Sequence, residues 1–144
     1  MKSVLLYGSE TWRETATSIP RIQAFVNRCL RQICWIRWPE KIKNTELWEK
    51  TTQEPIPRVI KIRKWKWIGH TLRKDKNNIT RQSLEWNPQG QRKRGRPRNT
   101  WRRNITTELK NVNTTWEEIK NIAENRVRWR AFVAALCPPW DEVD

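Results

Sequence analysis

The sequence predicts an all-α fold of about five or six helices, with a basic irregular loop between the central and C-terminal helices. Three observations carry that prediction. Apolar residues recur at helical spacing over three long stretches. Caps and prolines bracket those stretches, and no convincing alternating strand follows residue 12. At 144 residues the chain is of single-domain size, long enough to bury about two-thirds of its unfolded surface. It divides into a helical part at 1–76, a basic loop region at 77–104 and a C-terminal helical part at 105–144, which together read as one compact domain over 1–140.

Taken in order, Ser3 to Trp12 is a short apolar run broken by Gly8 and reads as an extended piece. Ser18 then offers an N-cap, with Pro20 in the first turn, where its missing N–H costs nothing. Ile19, Ile22, Phe25, Val26, Cys29, Leu30, Ile33 and Ile36 follow at helical spacing. They predict an amphipathic helix from about Ile19 to Ile36, which Pro39 stops. Asn44 or Thr45 caps a short helix through Lys50, with Leu47 and Trp48 facing inward.

Pro55 and Pro57 mark a turn before a second long helix, from Pro57 to about Lys74. Its apolar residues do not share one face: Ile62, Trp65, Gly69 and Leu72 form one stripe, while Ile60 and Trp67 lie on another side. Either this helix is sandwiched between neighbours, or Trp67 stands at the surface among cations. Thr80 to Trp86 reads as a short helix, and Asn87 opens a loop that runs to about Arg98. Helix resumes near Asn99 or Thr100 and continues to about Lys110. Thr114 with Glu117 makes a capping box for a last helix, with Trp116, Ile119, Ala123, Val127, Arg130 and Val133 along one side. Pro138 and Pro139 end it.

The charge narrows the function classes. The chain holds 30 Lys and Arg against 15 Asp and Glu, a net of +15. Arg58 to Arg103 alone hold 16 basic residues and two acids, Asp75 and Glu85, so one third of the chain carries nearly all of the excess. Such localisation points to a polyanionic partner rather than to general solubility. Within it, Gln91 to Arg103 packs seven cations, a Gly, a Pro and a Trp into thirteen residues without one acid. The candidate phosphate contacts are Lys61, Arg63, Lys64, Lys66, Arg73 and Lys74 on the second long helix. Arg92, Lys93, Arg94, Arg96, Arg98, Arg102 and Arg103 join them in and after the loop. Among eleven tryptophans, suited to cores, cation–π pairs or base stacking, Trp67 is the candidate for stacking. Arg94-Gly95-Arg96-Pro97 can lie extended. It offers generic phosphate contact first, minor-groove entry by Arg94 and Arg96 as a lesser reading, and a solvated loop or nuclear-import signal otherwise.

Other chemistries find little purchase. The sequence has no Asp-Asp pair, no Gly-rich phosphate loop and no Gly-x-Ser-x-Gly, and His70, between Ile68 and Leu72, reads as a structural histidine rather than a base. Cys29 and Cys34 would stand about 140° apart on a helix and, with His70 and Cys137, match no zinc spacing, so buried free thiols and a reducing compartment are expected. No catalytic residue, metal ligand or cofactor is predicted. Val4-Leu5-Leu6-Tyr7 is too short for a signal-peptide core, and no apolar run approaches the ~18 residues of a membrane span, so a nuclear or cytoplasmic location and no membrane partner are expected.

Several patterns resemble the C-terminal region of the endonuclease–reverse transcriptase of non-LTR, LINE-like retrotransposons. They are Leu6-Tyr7-Gly8-Ser9-Glu10-Thr11-Trp12, Arg28-Cys29-Leu30-Arg31, Trp67-Ile68-Gly69-His70 with Arg73, Gly95-Arg96-Pro97 with Trp101, and Arg126 with Trp129-Arg130. They stand in the family's order and cover residues 5 to about 137. The resemblance implies a thumb-like first part that holds template and primer, and an extension that helps bind element RNA or target DNA. It also implies an upstream polymerase region of the same parent as a partner. The paired-Asp polymerase signature, the endonuclease and the Cys/His knuckle of some relatives are absent from this sequence. The expectation is a fragment or truncated copy that binds RNA or DNA without a catalytic centre of its own. The competing expectations are a module that docks on the polymerase palm and a retroelement product without function.

Overall fold

The computed structural model describes residues 2–86, 94–95 and 99–139. All regular structure among them is helical. Eight α-helices, rather than five or six, follow one another: α1 (Lys2–Leu5), α2 (Ser18–Ile33), α3 (Asn44–Lys50), α4 (Ile56–Leu72), α5 (Ile79–Glu85), α6 (Trp101–Asn111), α7 (Trp116–Glu124) and α8 (Arg126–Leu136). A 3-10 turn at Ser9–Thr11 follows α1. Most of the predicted loop, residues 87–93 and 96–98, lies outside the described residues.

Helix α4 is the axis. It touches the 3-10 turn, α2, α5, α7 and α8. Its N-terminal half contributes Ile56 and Ile60 to a small core with Leu6 and Val26. Its C-terminal half contributes Trp65, Ile68 and Leu72 to a larger core that includes Leu84, Ile105 and Ile119. This double use explains why its apolar residues do not fall on one face: neighbours cover it on several sides. Trp67 is accordingly half-buried against the larger core, its ring edge-on to Trp101 with centroids 6.0 Å apart.

The first ten residues correct the expected extended piece. Leu6 and Ser9 are both buried, three residues apart, which is a helical rather than an alternating repeat. Gly8, at φ 69°, turns the chain between α1 and the 3-10 turn. Helix α2 follows the predicted stripe but stops at Ile33. Cys34 caps it, Trp35 takes the left-handed conformation at φ 55°, and buried Ile36 closes the end by donating its N–H to Arg31 O at 3.0 Å.

The predicted last helix is two helices. Asn125 leaves the helical conformation at φ −96°, ψ 115°, and its side chain accepts from the N–H groups of Val127 and Arg128. A short amide that satisfies helix-end donors makes a start where apolar periodicity alone reads straight through. The capping box also lies one residue later than expected, on Thr115 and Glu118 instead of Thr114 and Glu117.

Candidate nucleic-acid interface

The structure sorts the predicted cations of α4 by what already holds them. Lys64 is a correction. It is fully buried, and its Nζ lies 2.5 Å from both Glu14 Oε1 and Glu108 Oε1. A charge committed to two carboxylates inside the protein cannot reach a phosphate outside it. Lys61 and Arg63 donate to backbone carbonyls, Lys61 to Leu136 O at 2.8 Å and Arg63 to Leu6 O at 2.9 Å. They staple α4 to α8 and to the N-terminal segment, and both are half-buried. Arg73 donates to Ala123 O at 3.0 Å. Partial burial and then the neighbouring Arg126 pull its pKa below the ordinary arginine value. Lys66 remains exposed, with no ion pair among the described residues, and Lys74 is half-buried. Trp67, packed on Trp101, is a core residue more than a stacking platform.

The cations beyond the loop are more exposed, although Arg102 also donates to a carbonyl, Glu85 O at 3.0 Å. Thr100 caps α6 by accepting from Arg103 N–H, and α6 carries Arg102, Arg103 and Lys110 outward. Every exposed position from Asn99 to Lys110 is an Asn, a Thr or a cation. The acid of this helix, Glu108, is turned inward. It accepts from Lys64 Nζ and, through Oε2, from Trp65 Nε1 at 2.6 Å. Arg102, Arg103, Lys110 and the hydroxyl-bearing Thr100, Thr106 and Thr107 line one shallow hollow along the outer face. Arg103 and Lys110 are two turns apart on one side of the helix, about 10 Å along its axis.

The start of α6 is pinned in register. Asn99 and Asn104 both donate to Glu14 O, at 3.1 and 3.0 Å, while the Glu14 side chain reaches Lys64. Trp101 Nε1 donates to Glu10 O at 2.9 Å, which anchors the far end of the basic segment. Arg94 and Gly95 are exposed, and Gly95 takes φ 126°, a conformation other residues rarely adopt. Arg92, Lys93, Arg96 and Arg98 lie outside the described residues, so the Arg94/Arg96 hook has no geometry to add.

A second basic surface lies along α8, which sequence reasoning did not single out. Arg126 and Arg130 are exposed there, one turn apart on one side of the helix, while Arg128 is exposed on the other. Arg130 and Lys66 rim a groove of about 330 Å³ between α4 and α8, floored by Ile62, Trp129 and Val133. The signal was in the sequence as Arg126 and Arg130, four residues apart and so on one side of a helix, obscured by the apolar stripe beside them.

The remaining candidates take ordinary places. His70 is exposed rather than packed between Ile68 and Leu72. Cys29 and Cys34 are half-buried free thiols, and Cys137 is a buried one whose pKa burial pushes up. No group of three His, Cys, Asp or Glu side chains among the described residues is arranged to hold a metal. No helix among them is long and apolar enough to cross a membrane. Compared with family models, curated proteins and solved structures, the chain has no match.

Proposed function

We propose that this chain binds nucleic acid through phosphates, with the outer face of α6 and the basic segment before it as the principal contact. The observation that carries the reading is the orientation of Glu108. Because Lys64 and Trp65 draw that carboxylate inward, Arg103 and Lys110 face solvent with no acid of α6 between them, beside an exposed Arg102 that also holds Glu85 O. Threonine hydroxyls beside cations suit phosphate oxygens, which accept from both. Lys66 and Arg130, on the rim of the groove between α4 and α8, offer further exposed cations. In the retrotransposon setting implied by the resemblance, the bound polymer is template–primer or target DNA. There the chain acts as a C-terminal binding piece of a reverse transcriptase, nuclear or cytoplasmic, with no catalytic centre of its own. The test is a mobility-shift titration over a salt series, in which phosphate engagement gives a steep fall of affinity with salt.

A second reading, docking on an upstream polymerase region, is supported by α2, whose Phe25 and Ile33 are 52% and 63% exposed on its outer side. Co-purification with that region, without nucleic-acid affinity, would favour it.

A further inference from the structure

We infer that Trp35, Arg37 and Trp38, in the turn that ends α2, form a stacking platform for unpaired bases of a single-stranded nucleic acid. The inference rests on the nucleic-acid reading above and adds to it a second site and a preference for single strands.

The backbone gives the first argument. Trp35 N–H donates to Gln32 O at 3.2 Å and Ile36 N–H to Arg31 O at 3.0 Å, a left-handed cap in which Trp35 holds φ 55°. Glycine is the residue this position favours, since it alone meets no penalty there. Two other helix ends in this chain use the same geometry, with Thr52 at φ 52° and Asn113 at φ 52°. Asparagine tolerates it readily, and neither side chain is large. A tryptophan placed there accepts backbone strain and gains no burial, because its side chain is 71% exposed. Such a departure from the local rule, without a packing return, marks a position with another use.

The side chains give the second. Buried Ile36 ties the turn to the body, so the residues on either side project from a fixed base. The Arg37 guanidinium carbon sits 4.9 Å from the centroid of the Trp35 ring. Trp38, beyond it, is 86% exposed. Two exposed indoles in one turn, with Arg37 on one face of Trp35 and the other face left for a base, match what sequence-tolerant single-strand binding requires: π-faces for bases and a cation for the phosphate that links them. Charge favours the same occupant. From Trp35 to Lys43 three cations, Arg37, Lys41 and Lys43, outnumber the one acid, Glu40, whose N–H donates to Arg37 O at 2.9 Å. Duplex DNA hides the faces of its bases in the stack and leaves these rings without a partner.

The test is fluorescence anisotropy of a labelled oligothymidylate and a labelled duplex of equal length, titrated with the full chain and with Trp35→Gly and Trp38→Ala. Trp35→Gly separates the roles, because it relieves the left-handed strain while removing the ring. The platform predicts an unchanged or higher thermal midpoint for Trp35→Gly and about a tenfold weaker grip on oligothymidylate for each variant. Duplex affinity should stay within about twofold of the parent chain. Unchanged oligothymidylate affinity in both variants overturns the platform, as does equal weakening on both ligands. A lower midpoint for Trp35→Gly assigns that ring to packing and overturns its part. Variants that lose a protein partner but keep oligothymidylate overturn it in favour of docking. A parent chain that binds neither ligand brings down the phosphate reading as well, which the variants alone do not.

Discussion

The Trp129 indole lies directly over Gly69: a β-carbon added at 69 would fall 2.1 Å from Trp129 Nε1. The contact joins α4 to α8 in the larger core, where Trp129 also meets Trp65 at 6.2 Å between ring centroids. It joins as well two of the patterns on which the retrotransposon resemblance rests, Trp67-Ile68-Gly69-His70 and Arg126 with Trp129-Arg130. Two more of the patterns join them, those that contain Trp101 and Leu6 to Trp12. Trp67 stands against Trp101, Arg63 holds Leu6 O, and Trp101 holds Glu10 O. In these four patterns the aromatic and glycine positions serve packing.

Gly69→Ala therefore lowers stability by about 1–3 kcal/mol, the usual result of forcing volume into a filled core. A urea midpoint measures it. Trp129→Phe removes the obstructing nitrogen, which has no acceptor among the described residues. The double variant should recover part of the loss rather than add to it.

Lys64→Ala leaves two carboxylates facing each other without their cation, and should cost about 3–5 kcal/mol. It should leave the salt dependence of nucleic-acid binding where it was, because this lysine is enclosed by Glu14 and Glu108. Urea denaturation reads the first effect and a salt-series titration the second. A reduced slope in a folded Lys64 variant would return the residue to the binding surface.

Arg103→Gln and Lys110→Gln should do the reverse. Both residues are exposed on the outer face of α6, so the thermal midpoint should move little. Each should reduce the slope of log affinity against log salt by about one phosphate's worth.

The Glu85–Lys120 pair, at 2.6 Å, ties α5 to α7 and sets a modest acid limb. The hydrogen bond from Lys120 holds the Glu85 carboxyl below its ordinary value of 4.5. Its contribution is in place at neutral pH and fades as pH falls from about the ordinary value through the lowered one. Glu85→Gln should flatten the acid side of a stability–pH profile, slightly, because the carboxylate is half exposed and screened.

Which parts of this were legible follows from the kind of signal each part sends. Helices α2 to α6 announce themselves through local rules: a stripe, a proline, a cap. Asn125 and Trp35 end helices inside continuing apolar stripes, so periodicity overran both. The site was less legible than the fold. Composition counts Lys64 and Lys66 alike, yet one is enclosed by acids from distant segments and the other is exposed. Nothing within a few residues of Lys64 says that Glu14 and Glu108 will arrive. The same blindness hid the inward turn of Glu108, which makes α6 cationic outside. Trp67 drew notice for standing among lysines, while nothing in the local pattern marked Trp35 and Trp38 out from the other tryptophans.

The phosphate reading is tested most directly by a mobility-shift titration over a salt series. It should compare the parent chain with a variant in which Arg92, Lys93, Arg94, Arg96 and Arg98 are replaced together and a second lacking Arg102, Arg103 and Lys110. The parent should lose affinity steeply as salt rises, and each variant should show a shallower slope with helicity intact by circular dichroism. A parent chain whose affinity is flat across the series, or variants that keep the parent slope, would contradict the account.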